Sequence, residues 1–146
     1  MSDRRLSPAN LRVALAGHAT PGTHRVVTGA PARIGVPLTD LCRAPDGPRD
    51  RQLLLGAPVR VLEHLGTWAF VKSESCGYVG YLPAAALAPS RTPTHVVCAR
   101  QTQAYARADF KAPDLAILSM GAQVAVTATS GRFAETPQGH VPLAHL

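Results

Sequence analysis

Three cysteines, six histidines and nine carboxylates are the side chains of this 146-residue sequence able to hold a metal, attack a bond or move a proton. Cys42, Cys76 and Cys98 are odd in number and form no CxxC or CxxH pair, so neither a zinc site nor a disulfide framework is supported. One bridge among three thiols stays open. Without an export signal, however, they read as small buried or half-buried hydrophobes in a reducing compartment. His64 has no carboxylate or histidine at ligand spacing and reads as a surface residue. No metal or cofactor is expected. Trp68 could serve as an aromatic platform for a peptide or glycan, but its repeat partner Phe133 and apolar Phe70 and Val71 beside it favour core or half-buried packing.

The elements that would position these residues are short. Hydrophobic residues make up 46% and charged residues 16%, with 12 Gly and 13 Pro, which is enough apolar material to fold and many turns. The length suits one ordinary domain or two very small ones. No run approaches the roughly 20 apolar residues of a membrane helix. Residues 1–19 carry Arg4, Arg5 and Arg12 without a continuous apolar stretch, so no signal peptide is legible and a cytoplasmic location is expected. The net charge of +6 invites a nucleic-acid reading, but it divides as +3, +1 and +2 over residues 1–40, 41–88 and 89–146. Arginines are interrupted by acids, as in Arg49, Asp50 and Arg51, and 13 of the 15 basic residues are Arg. That is a dispersed compositional bias rather than a phosphate-binding stripe, and no nucleic-acid partner is expected.

Comparing the chain with itself reveals a repeat. Gly56, Ala57, Val59 and Val61 recur at an offset of 65 as Gly121, Ala122, Val124 and Val126, and Gly66, Trp68 and Ala69 as Gly131, Phe133 and Ala134. Leu82, Pro83, Ala85 and Leu87 return as Val141, Pro142, Ala144 and Leu146 at an offset of 59. The second copy is therefore six residues shorter in one loop.

In the first copy the alternation around Val59 and Val61 predicts a strand, residues 64–66 a turn, 68–72 the return strand, 77–82 another strand and 83–87 a closing turn of 3₁₀ type. Residues 123–128, 132–136 and 140–141 repeat that order. About 50 residues with five short strands describe a small SH3-like barrel. The fold expected is mainly β: two tandem small SH3-like barrels, residues 36–88 and 94–146, preceded by a short mixed N-terminal segment, residues 1–35. Residues 88–94 have the composition of a linker. In the leader, Ser7 as N-cap and Pro8 at the first position predict a short helix through Leu11 to Leu15, and Val26 and Val27 with Ile34 and Val36 predict a β-hairpin.

With the copies placed, the chain resembles the N-terminal part of the NlpC/P60 cell-wall cysteine peptidases of the dipeptidyl-peptidase VI, or γ-D-glutamyl-L-diamino acid endopeptidase, type. The resemblance lies in residues 3–10 (DRRLSPAN), 36–46 (VPLTDLCRAPD), 52–62 (QLLLGAPVRVL), 66–72 (GTWAFVK) and 77–82 (GYVGYL), and in the second copy in residues 121–126 and 141–146. In such enzymes two bacterial SH3 (SH3b) domains precede a papain-like domain whose nucleophile is a Cys opening a helix, followed by Ser-Gly and assisted by His. Cys42, Cys76 and Cys98 do not fit that pattern, and no catalytic residue is expected in this chain. The resemblance makes an NlpC/P60 catalytic domain, in cis or in trans, the expected partner.

The resemblance also gives the first SH3b domain a role in recognising the free amino end of a short murein peptide such as L-Ala-γ-D-Glu-diamino acid. A carboxylate would hold the ammonium group and an aromatic hydroxyl would orient it. Here the carboxylate is Asp46, one methylene shorter than the Glu usual in the family, and the aromatic partner Tyr81 or Tyr78. Against this, Asp46 and Gly47 are an ordinary turn pair, and both tyrosines could pack the barrel. Two competing functions are a free-standing SH3-like interaction module for protein or cell-wall ligands and, with less in its favour, a basic nucleic-acid-binding barrel.

Overall fold

The computed structural model describes residues 3–22 and 25–146. It is mainly β, with 50% of residues in strands and 6% in helix. Two sheets carry the repeat. The first holds β3 (Ala30–Ile34), β4 (Leu38–Cys42), β5 (Arg49–Leu54), β6 (Pro58–Leu65), β7 (Trp68–Ser73), β8 (Val79–Pro83) and β9 (Leu87–Pro89) in the order β5-β4-β8-β7-β6-β3-β9. The second holds β11 (Gln101–Tyr105), β12 (Asp114–Ser119), β14 (Ala128–Ser130), β15 (Phe133–Thr136) and β16 (Gly139–Pro142) in the order β12-β11-β16-β15-β14. Beside it β10 (His95–Val96) pairs antiparallel with β13 (Gln123–Val124). Both ladders are antiparallel and open, so the hydrogen bonding does not close into a barrel among the described residues.

Matched residues occupy matched places. Val59 and Val124 are buried, as are Ala69 and Ala134, and Leu82 and Val141. Gly66 and Gly131 turn the hairpins at φ 60° and 58°, a left-handed conformation that glycine adopts without steric cost. Short 3₁₀ turns follow at Ala84–Ala86 and Leu143–His145. The structural repeat reaches further back than the sequence match. The β4–β5 and β11–β12 hairpins each shift register once, between Leu41 and Cys42 and between Ala104 and Tyr105. Thr39 and Thr102 are buried at equivalent points.

The leader differs from expectation. The helix predicted from Ser7 to Leu15 is absent. Residues Arg4–Leu6 form a 3₁₀ turn capped by Asp3, whose carboxylate accepts from the Arg5 amide at 2.9 Å. Beyond it Asn10 Oδ1 accepts from the backbone amides of Arg12 (2.7 Å) and Val13 (2.8 Å), a local side-chain turn that competes with helix. Val13–Leu15 then forms β1, parallel to β2 (Arg25–Val27). The predicted hairpin is also absent, because Ala30–Ile34 pairs with β6 and β9 of the first sheet instead. Tertiary pairing there outweighs the local signal of Gly29 and Pro31.

The first sheet has two apolar faces. On one, Ile34, Leu41, Val59, Val71 and Leu82 form the core of the first unit. On the other, Leu62, Phe70, Val79 and Tyr81 are covered by Val13, Leu15 and Val27 of the leader. The alternation of β7 and β8 produces this division, since successive side chains point to opposite faces. The two units are also joined tightly. Leu55, just after β5, is 3% exposed and packs into the second unit's core with Val97, Leu118, Val124 and Val141. Its carbonyl accepts from the Gln123 amide at 2.9 Å. Gly56 has φ 79°, and a Cβ there would lie 2.4 Å from the Gln123 carbonyl oxygen, so close approach of the units requires glycine.

Candidate functional site

Asp46 lies at the tip of the loop between β4 and β5. The Gly47 amide donates to the Ala44 carbonyl at 2.9 Å, which closes a four-residue turn with Pro45 and Asp46 at its centre. Pro presets the first central position, and Asp46 takes the second with φ 54°, the left-handed position that a type II turn reserves for Gly. It is the only residue other than Gly with positive φ among the described residues. Asp46 and Gly47 thus reverse the assignment expected of an ordinary Asp-Gly pair. Asp46 is exposed, and its carboxylate makes no hydrogen bond or ion pair among the described residues. A second backbone bond, Arg43 amide to Pro48 carbonyl at 2.9 Å, fixes the base of the loop.

Tyr81 lies next to that base, since its Cα is paired with Cys42 across β8 and β4. Its ring is 9% exposed and packs on Phe70 with centroids 5.0 Å apart. The hydroxyl oxygen accepts from Asn10 Nδ2 at 3.1 Å and from Arg12 Nη2 at 3.2 Å. Both donors also reach Glu63: Arg12 Nε to Oε1 at 2.8 Å and Asn10 Nδ2 to Oε2 at 3.1 Å. The Arg12 hydrogen bonds hold the Glu63 carboxyl below its ordinary range, and Asn10 adds to the effect. Glu63 in turn raises the Arg12 guanidinium. Tyr81 therefore ties the leader to the sheet, and its hydroxyl is occupied.

Tyr78 is half-buried between two cations, with Arg5 5.0 Å and Arg51 5.5 Å from the ring centroid. Arg5 is held by Asp3 at 2.8 Å, and Arg4 by Asp50 at 2.9 Å. Among the described residues no hydrogen bond joins Asp46 to either tyrosine.

Trp68 is half-buried. It packs against the cluster of Phe70 and Tyr81 and lines a concavity of about 450 Å³ with Thr39, Asp40, Gln52 and Pro83. Gln52 Nε2 donates to Asp40 Oδ1 at 3.0 Å. An acid and an amide beside an indole make a mostly apolar groove with a polar edge that sequence reading missed. The signal was faint: Asp40 occupies the outward position of β4 between buried Thr39 and Leu41. In the second unit Phe133 replaces Trp68 and is buried, with Phe110 at 4.7 Å and Tyr105 at 6.0 Å. His64 is exposed, Cys42 buried, Cys76 half-buried and Cys98 exposed, each cysteine a free thiol. Burial, with Asp40 next in effect, pushes the Cys42 thiol up. No cluster suited to a metal occurs among the described residues.

Residues 41–87, from the end of β4 to the start of β9, match the family model of the bacterial dipeptidyl-peptidase SH3 domain. The first unit is thus similar to a bacterial SH3 domain of this kind over those residues. No curated protein sequence gives a match. Among solved structures, the chain is similar in fold to an NlpC/P60 family protein from Bacillus cereus ATCC 10987, with a TM-score of 0.58 and 18% identity over 77% of this chain and 53% of that one. NlpC2 and NlpC1 from Trichomonas vaginalis also match, at 15% and 13% identity and TM-scores of 0.38, over 79% and 99% of this chain and 45% and 50% of theirs. The chain thus spans about half the length of the solved proteins it resembles. At 18% identity, the likeness to the Bacillus cereus protein is one of fold.

Proposed function

We propose that this chain is the substrate-gating SH3b region of a murein-peptide cysteine peptidase, working with an NlpC/P60 catalytic domain in cis. The observation that carries the reading is Asp46. A free carboxylate is held in a left-handed turn position that Gly would occupy more easily, and such local strain concentrates where function requires a particular side chain. The loop bearing it lies within the matched SH3 domain. In this reading Asp46 accepts from the ammonium group of a peptide's free amino end. Tyr81 acts as a positioning residue: it packs the strand paired with Cys42 and anchors the leader through Asn10 and Arg12. The Tyr78 hydroxyl is the aromatic one left to orient the peptide. Trp68 supplies an apolar wall beside Asp40. The catalytic domain supplies the nucleophile and base, since the thiol beside the loop, Cys42, is buried with its pKa raised.

The test joins an NlpC/P60 catalytic domain to this chain and compares wild type with Asp46→Ala on L-Ala-γ-D-Glu-diamino acid peptides with free and acetylated amino ends. Wild type should favour the free end, and the variant should lose that preference. Equal discrimination by both proteins would reduce Asp46 to a turn residue.

A further inference from the structure

A second concavity, at the opposite end of β5 from the Asp46 loop, lies where the two units meet. It has a volume of about 220 Å³ and is walled by the ends of β3 and β5, the connecting segment after β9 and the turn between β15 and β16. Arg33 is its most constrained member. Arg33 Nη1 donates to the Gly56 carbonyl at 2.6 Å and to Gln123 Oε1 at 3.1 Å, while Arg33 Nε is buried without any partner among the described residues. Gln123 has turned its oxygen to the guanidinium, so its amide nitrogen is left as a donor. Arg91 and Gln138 line the same space. No acidic residue lines it, and neither Arg33 nor Arg91 makes an ion pair among the described residues.

This is an unusual balance of groups. A partly buried guanidinium bonded only to neutral carbonyls has lost water without gaining a counter-charge, and a buried N–H with no acceptor adds to that cost. Arg12 and Arg4, by contrast, have carboxylate partners in Glu63 and Asp50. The remaining walls, including Ile34, Leu55, Ala125 and Pro137, are apolar. Cationic and amide donors set among apolar walls select a ligand with an anionic end and a short hydrocarbon body. A carboxylate matches the fork of a guanidinium in two parallel hydrogen bonds, whereas apolar walls would leave the further oxygens of a phosphate without partners. The volume lies below the ~300–1,000 Å³ of pockets for drug-sized ligands, which limits the occupant to about one residue.

We infer that the junction between the two units is a binding site for a small carboxylate with a short apolar stem, held by Arg33, Arg91 and the side-chain amides of Gln123 and Gln138. The carboxylate could be a free short-chain acid or the carboxyl end of a peptide. Because Leu55 and Gly56 belong to both the cavity wall and the joint between units, occupancy also braces the two units against each other. The inference is independent of the role given to Asp46.

The test is an NMR titration of the ¹⁵N-labelled chain at constant ionic strength with three probes: butyrate, N-acetyl-L-alanine and its uncharged counterpart N-acetyl-L-alaninamide. Saturable shifts of the Arg33 Nε–H and the Gln123 and Gln138 side-chain amides are expected with the two carboxylates and not with the amide. Tighter binding of N-acetyl-L-alanine than of butyrate assigns the site to peptide ends, and the reverse order assigns it to free acids. Arg91→Gln, at an exposed position, should weaken binding severalfold and leave the rest of the spectrum unchanged. Arg33→Lys, which keeps the charge but removes the fork, should weaken it more than tenfold. The inference fails if the carboxylates give no saturable shift at these groups, or if the uncharged amide shifts them equally. Since the wild-type titration decides this alone, a variant that unfolds does not obscure the answer.

Discussion

The left-handed turn residue makes a prediction in which stability and function move apart. At φ 54°, Asp46 occupies a region that costs an ordinary L-residue roughly 1–2 kcal/mol, with Asp somewhat better tolerated than most. Asp46→Gly removes that cost but gives the unfolded chain more freedom, which takes back about 0.4–1 kcal/mol. The net expectation is a gain of about 0.5 kcal/mol, near 1–2 °C in Tm for a chain of this size. Asp46→Asn keeps both the size and the left-handed tolerance, and should stay within about 0.5 kcal/mol of wild type. Asp46→Ala keeps the backbone cost without the local tolerance and should lose about 0.5–1 kcal/mol. Urea melts of the four proteins, run together, measure the order Gly, then Asp and Asn, then Ala. The reasoning is refuted if Asp46→Gly is less stable than wild type, or if Asp46→Asn loses more than about 1 kcal/mol. Either result would mean that the carboxylate has structural work in the folded chain and is not held free for a ligand.

Other expectations follow from the same contacts. Leu55→Ala removes a side chain of the first unit from the core of the second, and should cost about 2–4 kcal/mol, with loss of amide-exchange protection at Leu118 and Val124 as well as near residue 55. The Glu63 carboxyl has its pKa lowered in the folded chain, chiefly by Arg12, so its contribution is present above the ordinary Glu value of 4.5 and is lost as pH falls through the lower folded value. Wild type should therefore lose stability below about pH 4.5 more steeply than Glu63→Gln, a difference that acid titration by near-UV circular dichroism will read; parallel curves would contradict it. Iodoacetamide should label exposed Cys98 first and Cys42 last, because burial excludes the reagent and holds the Cys42 proton. Mass spectrometry of tryptic peptides gives the order, and early labelling of Cys42 would contradict its placement.

The repeat was legible because its signals are local. Glycines at 66 and 131 set hairpin turns, valines at 59 and 61 and at 124 and 126 recur every second residue, and prolines at 83 and 142 precede 3₁₀ turns. Each is a rule of one turn or one strand. The leader was not legible, because Ser7 and Pro8 are valid helix-start residues and only the outer apolar face of the first sheet, made by Leu62, Phe70 and Tyr81, draws Val13 and Leu15 into a covering strand. Leu55 shows the same limit. Its apolar character predicts burial, but nothing in its neighbourhood says that the core belongs to the other unit. At the site, residue types pointed to Asp46 and the tyrosines, while backbone angle and hydrogen bonding separated their parts. Asp46 is free and strained, the Tyr81 hydroxyl accepts from Asn10 and Arg12, and Tyr78 has two arginines against its ring. Some of the basic residues are paired locally, as Arg4 is with Asp50 and Arg12 with Glu63, and Arg33 and Arg91 at the junction are among those without an ion pair among the described residues.

The central claim is that the Asp46 carboxylate reads the amino end of a peptide cleaved by an attached catalytic domain. Its most direct measurement is the ratio of kcat/KM for a free over an acetylated L-Ala-γ-D-Glu-diamino acid peptide, in the joined wild-type protein and in its Asp46→Asn variant. A charge-assisted hydrogen bond contributes about 1.5–3 kcal/mol, so the ratio should fall by roughly 10- to 150-fold in the variant while its melting curve stays that of the wild type. An unchanged ratio in a folded variant would contradict the claim.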